Sequence, residues 1–228
     1  MQKLNVIYED NHIIVVEKMV NIPSQADKTG DMDMLTIIKQ YLKEKYNKPG
    51  DVYLGLVHRL DRPVGGVMVF AKTSKAASRL SEQVRVKEFE KKYLVISNGK
   101  MEKQKDILED YLLKNEKTNM SKTVKERTKN SKLAVLDYEV LKYDEDTNLS
   151  LLKVNLHTGR HHQIRVQLSS RDHSIYGDQK YGGRGHGKQI ALWAYELSIL
   201  HPITKERMYF KALPEIIGSW KILEDVNL

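Results

Sequence analysis

His58-Arg59-Leu60-Asp61-Arg62-Pro63-Val64, followed by Gly65-Gly66 and the apolar run Val67-Met68-Val69-Phe70, is the stretch on which the reading of this chain turns. An arginine and an aspartate stand two residues apart in a polar segment that bends near Pro63 and enters what reads as a buried strand. Loops feeding such strands are where binding and catalytic groups collect. Taken alone, Asp61 also suits a plain turn, capping backbone groups of Gly65 or Gly66.

On the amino-terminal side, Val6-Ile7-Tyr8 and Ile13-Ile14-Val15-Val16 read as a hairpin. Leu35, Ile38, Leu42 and Tyr46 are spaced as one face of a helix over Met34 to Tyr46, ended by Pro49-Gly50. On the carboxyl side, Ser74 to Val84 predicts a helix with Ser74 as its cap, and Tyr93–Ile96 a strand. From Glu109 to Lys132 apolar periodicity fades, which predicts a mobile or irregular basic arm. Leu133–Tyr143 and Leu149–Leu156 predict an antiparallel pair, Arg160–Leu168 a helix, and Tyr176–Lys188 a glycine-rich loop. Leu192–Leu200 and Met208–Ala212 predict a second hairpin, and Pro214 opens a last short helix. Hairpins outnumber βαβ units and no linker divides the chain. The expectation is one α+β domain over residues 1–228, with a mixed, mostly antiparallel sheet and flanking helices and loops around a central cleft.

Composition narrows the chemistry. The 228 residues contain no cysteine, which excludes disulfides, zinc thiolates and cysteine nucleophiles. The amino terminus lacks a signal-peptide pattern, and no apolar run approaches the roughly eighteen residues of a membrane span. A cytoplasmic protein without membrane attachment is expected, and nothing demands more than a monomer. Net charge is +8, and the excess is uneven: residues 1–57 carry 7 basic and 8 acidic groups, whereas residues 85–132 carry 14 and 8. Residues 160–188 carry 6 and 2. This distribution fits a polyanion-binding face or, equally, a solvated lysine-rich surface.

Two further constellations carry chemistry. In Thr158-Gly159-Arg160-His161-His162-Gln163-Ile164-Arg165, a helix start with Arg160 and two histidines attracts anions. Arg165 lies five residues beyond Arg160, so one can face a phosphate while the other turns inward. A buried arginine needs a carboxylate, and Asp61 is the candidate that would make the pair catalytic. In Lys91-Lys92-Tyr93, the ring of Tyr93 is either core or, beside two lysines, a surface on which a base stacks. His161 and His162 are adjacent and cannot share a metal as an i,i+4 pair does, and there is no HExxH. No Walker loop, no GxGxxG after a strand and no GxSxG elbow appears, and Gly182-Gly183-Arg184-Gly185 lacks a phosphate-loop context.

Taken in order, these segments resemble the RluA-type family of RNA pseudouridine synthases. The family's His-Arg-Leu-Asp stands at His58 to Asp61, its Lys-x-Tyr at Lys91 to Tyr93, and its Gly-Arg-x-His-Gln-Ile-Arg at Gly159 to Arg165. Gly-Asp-x-x-Tyr-Gly stands at Gly177 to Gly182, and His201-Pro202 with Phe210-Lys211-Ala212-Leu213-Pro214 completes the series. Two departures accompany it. Val64-Gly65-Gly66 replaces a usual Thr-Ser-Gly, and a first strand near Leu4 leaves no room for the small S4-type RNA-binding domain of many relatives.

The resemblance implies an enzyme that isomerises uridines of structured RNA, ribosomal rather than transfer RNA, without cofactor or metal. Asp61 would be the catalytic carboxylate, Arg165 its ion-pair partner, and Tyr93 the ring against the uracil. Arg59 would enter the RNA stack in place of the flipped nucleotide, and His58, Arg160, His162 and Gln163 would contact RNA. A uridine must leave its stack before its glycosidic bond is reachable. The competing reading is a non-catalytic RNA-binding or ribosome-assembly protein on the same fold, for which a buried carboxylate has no purpose. A metal-dependent nuclease is disfavoured by the scarcity of clustered acids and histidines.

Overall fold

The computed structural model describes residues 4–182 and 189–228. Gly183 to Lys188, and with them most of the Gly182–Gly185 run and the end of the predicted 176–188 loop, lie outside the described residues. The elements run β1 (Asn5–Glu9), β2 (Ile13–Lys18), α1 (Met34–Lys45), β3 (Gly55–Leu56), β4 (Gly65–Ala71), α2 (Ser74–Val86) and β5 (Glu90–Asn98). They continue with β6 (Lys105–Asn115), β7 (Met120–Val124), β8 (Lys132–Asp144), β9 (Leu149–Leu156), α3 (Gln163–Ser169), β10 (Leu192–Leu200) and β11 (Arg207–Lys211), and end in a 3-10 turn, Gly218–Leu223. The class is α+β with a mostly antiparallel sheet, as the strand and turn pattern predicts. By backbone contacts the chain falls into two compact units, one ending at Glu90 and completed by Ala194–Leu213, the other formed by Lys91–Trp193 and Pro214–Leu228.

In the first unit the strands are ordered β1-β2-β4-β10, with β3 on β4 and β11 on β10. Ile13 and Val15 of β2 pack with Val67, Val69 and Ala71 of β4, Ala76 and Leu80 of α2, Phe89, Leu197, Ile199 and Phe210. Ile14, Val16, Met68 and Phe70 project from the other face and are equally buried. Both strands are therefore covered on two sides, which explains why they read as unbroken apolar runs rather than alternating ones. Gly66 cannot be replaced: its φ is +122°, and a Cβ there would stand 2.2 Å from the Ala194 carbonyl oxygen of β10. The glycine that Val64-Gly65-Gly66 shares with the Thr-Ser-Gly pattern is thus the residue that lets these two backbones meet.

α1 is capped by Asp33, whose carboxylate accepts the Leu35 and Thr36 N–H groups, and it buries Met34, Ile38 and Leu42. Tyr46, expected on that face, is exposed; its hydroxyl instead reaches Glu9. α2 is capped by the Thr73 hydroxyl and not by Ser74, which is its first helical residue.

In the second unit the order is β5-β9-β8-β6-β7. Most of the expected irregular arm at 109–132 is instead a regular hairpin, β6 against β7, with Leu112 opposite Thr123 and Asn115 opposite Met120; residues 125–131, between β7 and β8, are irregular as expected. Only Leu108 and Leu112 of β6 are buried. Cross-strand hydrogen bonds rather than apolar burial order this hairpin, so periodicity could not reveal it. Its turn is made by Asn115, whose side chain accepts the Lys117 and Thr118 N–H groups. α3 begins at Gln163 rather than Arg160, so Arg160 and His161 lie in the turn before it. The last helix is a 3-10 segment four residues beyond Pro214, which itself opens nothing.

One polar cluster secures the first unit. The Glu9 carboxylate, 5% exposed, accepts from Lys45 (2.8 Å), Tyr41 (3.0 Å), Tyr46 (2.7 Å) and Lys72 (2.6 Å). It ties β1 to α1 and to the end of β4. Burial alone would raise its pKa, but the hydrogen bonds from Lys45, Lys72, Tyr46 and Tyr41 lower it to about 2. A carboxylate with a depressed folded-state pKa stabilises fully above its ordinary value near 4.5 and progressively less as pH falls toward about 2. Glu9→Gln should lower stability at pH 7 by about 2 kcal/mol and remove part of the loss of stability between pH 5 and 2. Urea unfolding of both proteins across that range is the measurement, and parallel curves would contradict this role.

Candidate active-site segments

The segment from His58 to Val64 is pinned to its own unit at alternate residues. His58 Nε2 accepts the Val69 N–H of β4 at 3.1 Å, and its ring lies 5.0 Å from Phe89. That acceptor role requires the proton on Nδ1. Leu60 is buried, and both its backbone groups are taken by one side chain: Ser24 Oγ donates to its carbonyl (2.8 Å) and accepts its N–H (3.2 Å). Asp61 C=O accepts the Val64 N–H at 2.9 Å, closing a four-residue turn. Arg62 turns away, donating to Asn21 O, to Thr29 Oγ1 at 3.0 Å and to Asp31. The alternation leaves Arg59 exposed and Asp61 half-buried, two residues apart on a segment whose intervening residue is anchored.

In the second unit, Tyr93 sits on β5 opposite Val154 and is 6% exposed. Lys91 is two residues earlier, hence on the same face of the strand, and burial pushes its ammonium pKa down. The turn before α3 passes close to this ammonium: a Cβ at Gly159 would lie in ordinary contact with Lys91 Nζ, at 3.5 Å.

Arg165, the inward-turning arginine, is 4% exposed. Its Nε and Nη2 donate to the two oxygens of Asp178 at 2.7 Å each, a bidentate pair. Asp178 also accepts the N–H groups of Lys180 and Tyr181. Burial would raise its pKa, but the Arg165 guanidinium and these N–H groups lower it, so the pair is ionic. The guanidinium lies 5.1 Å over the Tyr181 ring. Tyr181 OH accepts the Ser121 N–H of β7 at 2.8 Å and pairs with His162 Nδ1 at 2.8 Å. His161 stacks on His162 at 3.7 Å and bonds Ser121 Oγ at 2.9 Å. One segment, Asp178 to Tyr181, therefore holds Arg165 with its carboxylate and the hairpin with its phenol.

The residues expected at an RNA surface divide. Arg59 and Arg160 are exposed, with Arg160 Nε donating to Leu133 O. Gln163 is 3% exposed and serves the interior. Its Oε1 accepts from Thr158 Oγ1 and Arg160 N–H, and its Nε2 donates to Val135 O and Gln167 Oε1. His162, 9% exposed and left-handed at φ +54°, is held between Tyr181 and His161. His58 is bound to β4 as described. Sequence reasoning missed Asp178, Tyr181 and Ser24 as positioning groups. The first two stood in a quoted motif; nothing marked the serine. Among the described residues, no three histidines or acids come together as a metal-binding group, and no helix is long and apolar enough to cross a membrane.

Residues 12–170 match the family described as RNA pseudouridylate synthase. An uncharacterized RNA pseudouridine synthase of Aquifex aeolicus is 34% identical over 221 residues, 91% of this chain and 68% of its own length. Ribosomal large subunit pseudouridine synthase D of Haemophilus influenzae is 32% identical over 93% of this chain and 68% of its own. The tRNA pseudouridine synthase C of the same organism is 29% identical over 92% of both chains. The solved structure of human RNA Pseudouridylate Synthase Domain Containing 4 shares the fold at a TM-score of 0.77 and 21% identity, covering 93% of this chain and 89% of that one. With a family match across residues 12–170 and relatives above 30% identity along most of its length, this chain belongs to the RluA-type family of RNA pseudouridine synthases, which are isomerases.

Proposed function

We propose that this protein isomerises uridines in structured RNA with Asp61 as its catalytic carboxylate. The observation that carries the reading is the anchoring of the His58–Val64 segment. Leu60 is locked through Ser24, and on either side of it stand one exposed guanidinium and one half-buried carboxylate. A loop built only to bind RNA has no use for a carboxylate on a backbone anchored this firmly. Arg59 enters the stack vacated by the flipped nucleotide, where a planar guanidinium offsets part of the few kcal/mol of unstacking. Asp61 acts on the sugar, attacking C1′ or removing a sugar proton. The N1–C1′ bond breaks with its electron pair leaving on the uracil, the uracil turns, and C5 joins C1′ as the Asp61–C1′ bond breaks (or the sugar proton is returned); C5 then loses its proton and N1 gains one, so the product is an isomer. As the family resemblance implies, Tyr93 is assigned to support the uracil ring and Arg165 to partner the catalytic carboxylate. Hydrolysis of the detached sugar would abort the reaction, so the site must exclude water. One carboxylate suffices because no water is activated, unlike in a glycosidase.

The substrate we assign is ribosomal RNA, supported by the relative named for the large ribosomal subunit. A transfer RNA is the second reading, favoured by the match to tRNA pseudouridine synthase C over 92% of both chains. Affinity comes from the basic β6–β7 hairpin and the turn after it. From Lys114 to Lys132, Lys114, Lys117, Lys122, Lys125, Arg127, Lys129 and Lys132 are all exposed, against only Glu116 and Glu126.

The purified protein, in chelator, should release tritium from RNA labelled at uracil C5, and mapping of the new pseudouridines decides between the two RNAs. Asp61→Asn should lower the rate on the order of 10³-fold or more while RNA affinity changes by a few-fold at most. Normal turnover by that variant would remove Asp61 from the chemistry.

Reversing Lys114, Lys117, Lys122 and Lys125 to glutamate should weaken binding and flatten the dependence of log affinity on log salt. Each lost phosphate contact accounts for a slope change of about 0.7 to 0.9. A titration series with unchanged slope would make the hairpin a solvated surface and nothing more.

A further inference from the structure

Lys18 ends β2 and is wholly shut away from solvent, at 0% exposure. Lysine is almost never fully buried without partners, because an unsolvated ammonium is costly. Its three N–H donors meet three backbone carbonyls: Val64 at 2.6 Å, Arg62 at 3.0 Å and Met19 at 3.1 Å. Two of these flank Pro63 in the turn that Asp61 opens. That turn's own hydrogen bond uses the Asp61 carbonyl and the Val64 N–H, so neither clamped carbonyl is spoken for by it. Register places Lys18 opposite Gly66, where the turn enters β4.

Resting on the reading of Asp61 as catalytic, we propose that Lys18 is a positioning residue for the isomerisation: its buried ammonium clamps the Asp61–Val64 turn from inside and sets the positive charge behind the carboxylate. Stability alone does not account for a charge here, since apolar residues commonly replace buried ionic groups at no loss. Ser24 already anchors the same segment with a neutral hydroxyl. What the ammonium adds is charge. Burial pushes its pKa down to about 7, the charge of Asp61 pulls it back up, and Arg62 opposes it. Small displacements of a reacting group carry a large penalty in rate, and a carboxylate on a loop needs such a clamp.

The chain has no cysteine, so Lys18→Cys gives a unique thiol. Alkylation in urea with bromoethylamine followed by refolding restores an ammonium at nearly the lysine position; iodoacetamide gives a neutral adduct of similar bulk. Lys18→Met and the neutral adduct should lose about a hundredfold in single-turnover rate, with the RNA dissociation constant changed by no more than about threefold. The aminoethyl form should recover to within about threefold of the native rate, and Ser24→Ala should fall short of the Met variant's loss. A Met variant that keeps its rate, fails to fold, or loses affinity in step with rate overturns the proposal, as does an aminoethyl form that stays slow. If the native protein releases no tritium, the catalytic reading of Asp61 is what fails. Amide exchange then still decides the clamp: the Val64 N–H should exchange at least about tenfold faster in Lys18→Met while Val15 and Leu80 keep their protection. Equal exchange at Val64 in both proteins would sink it.

Discussion

A loop can present a carboxylate with precision only if its backbone polar groups are satisfied from within, and that constraint organises the first unit. Between His58 and Val64 nearly every second residue is tied inward. His58 is held by a β4 amide, Leu60 by one serine hydroxyl at both its backbone groups, and the Arg62 and Val64 carbonyls by the Lys18 ammonium. Unpaired, each of those groups would cost on the order of 1–3 kcal/mol in the interior. Paired, they fix the geometry of the residues that alternate with them, Arg59 and Asp61.

The second unit solves the corresponding problem for a cation. Arg165 can be buried because Asp178 meets its guanidinium edge-on, and Asp178 can be buried because backbone N–H groups meet it in turn. Tyr181 extends this network to β7 through the Ser121 amide. The basic hairpin and the buried arginine thus share one support, so the position of the hairpin and that of Arg165 are physically linked within this unit.

Much of the fold was legible because its strands carry strong local patterns. β2, β4 and β10 carry apolar runs, and β8 with β9 frames an Asp-Glu-Asp-Thr-Asn turn. Errors fell where local pattern is weakest. The β6–β7 hairpin buries too little to show a period, α3 loses its first turn to a left-handed His162, and the cap of α2 lies one residue earlier than the serine that resembles a cap. The motif residues were legible as a set, yet their division into surface and scaffold was not. Gln163 and His162 look like RNA ligands by type and position; in the structure both are buried, Gln163 bonding Val135 and Gln167 and His162 Nδ1 bonding Tyr181.

The amino-acid sequence by itself determined the α+β class, the family and the identity of the chemical groups, because side-chain type, apolar period and motif order are local properties of the chain. Only the tertiary structure decided which charges are buried and what satisfies them. Lys18 and Ser24 reach across more than thirty residues to the Asp61 loop, and Asp178 reaches thirteen back to Arg165. Hydrogen bonds act over about 3 Å of space, whatever the separation along the chain, so pairings of this kind leave no periodic trace for a reading of the sequence to find.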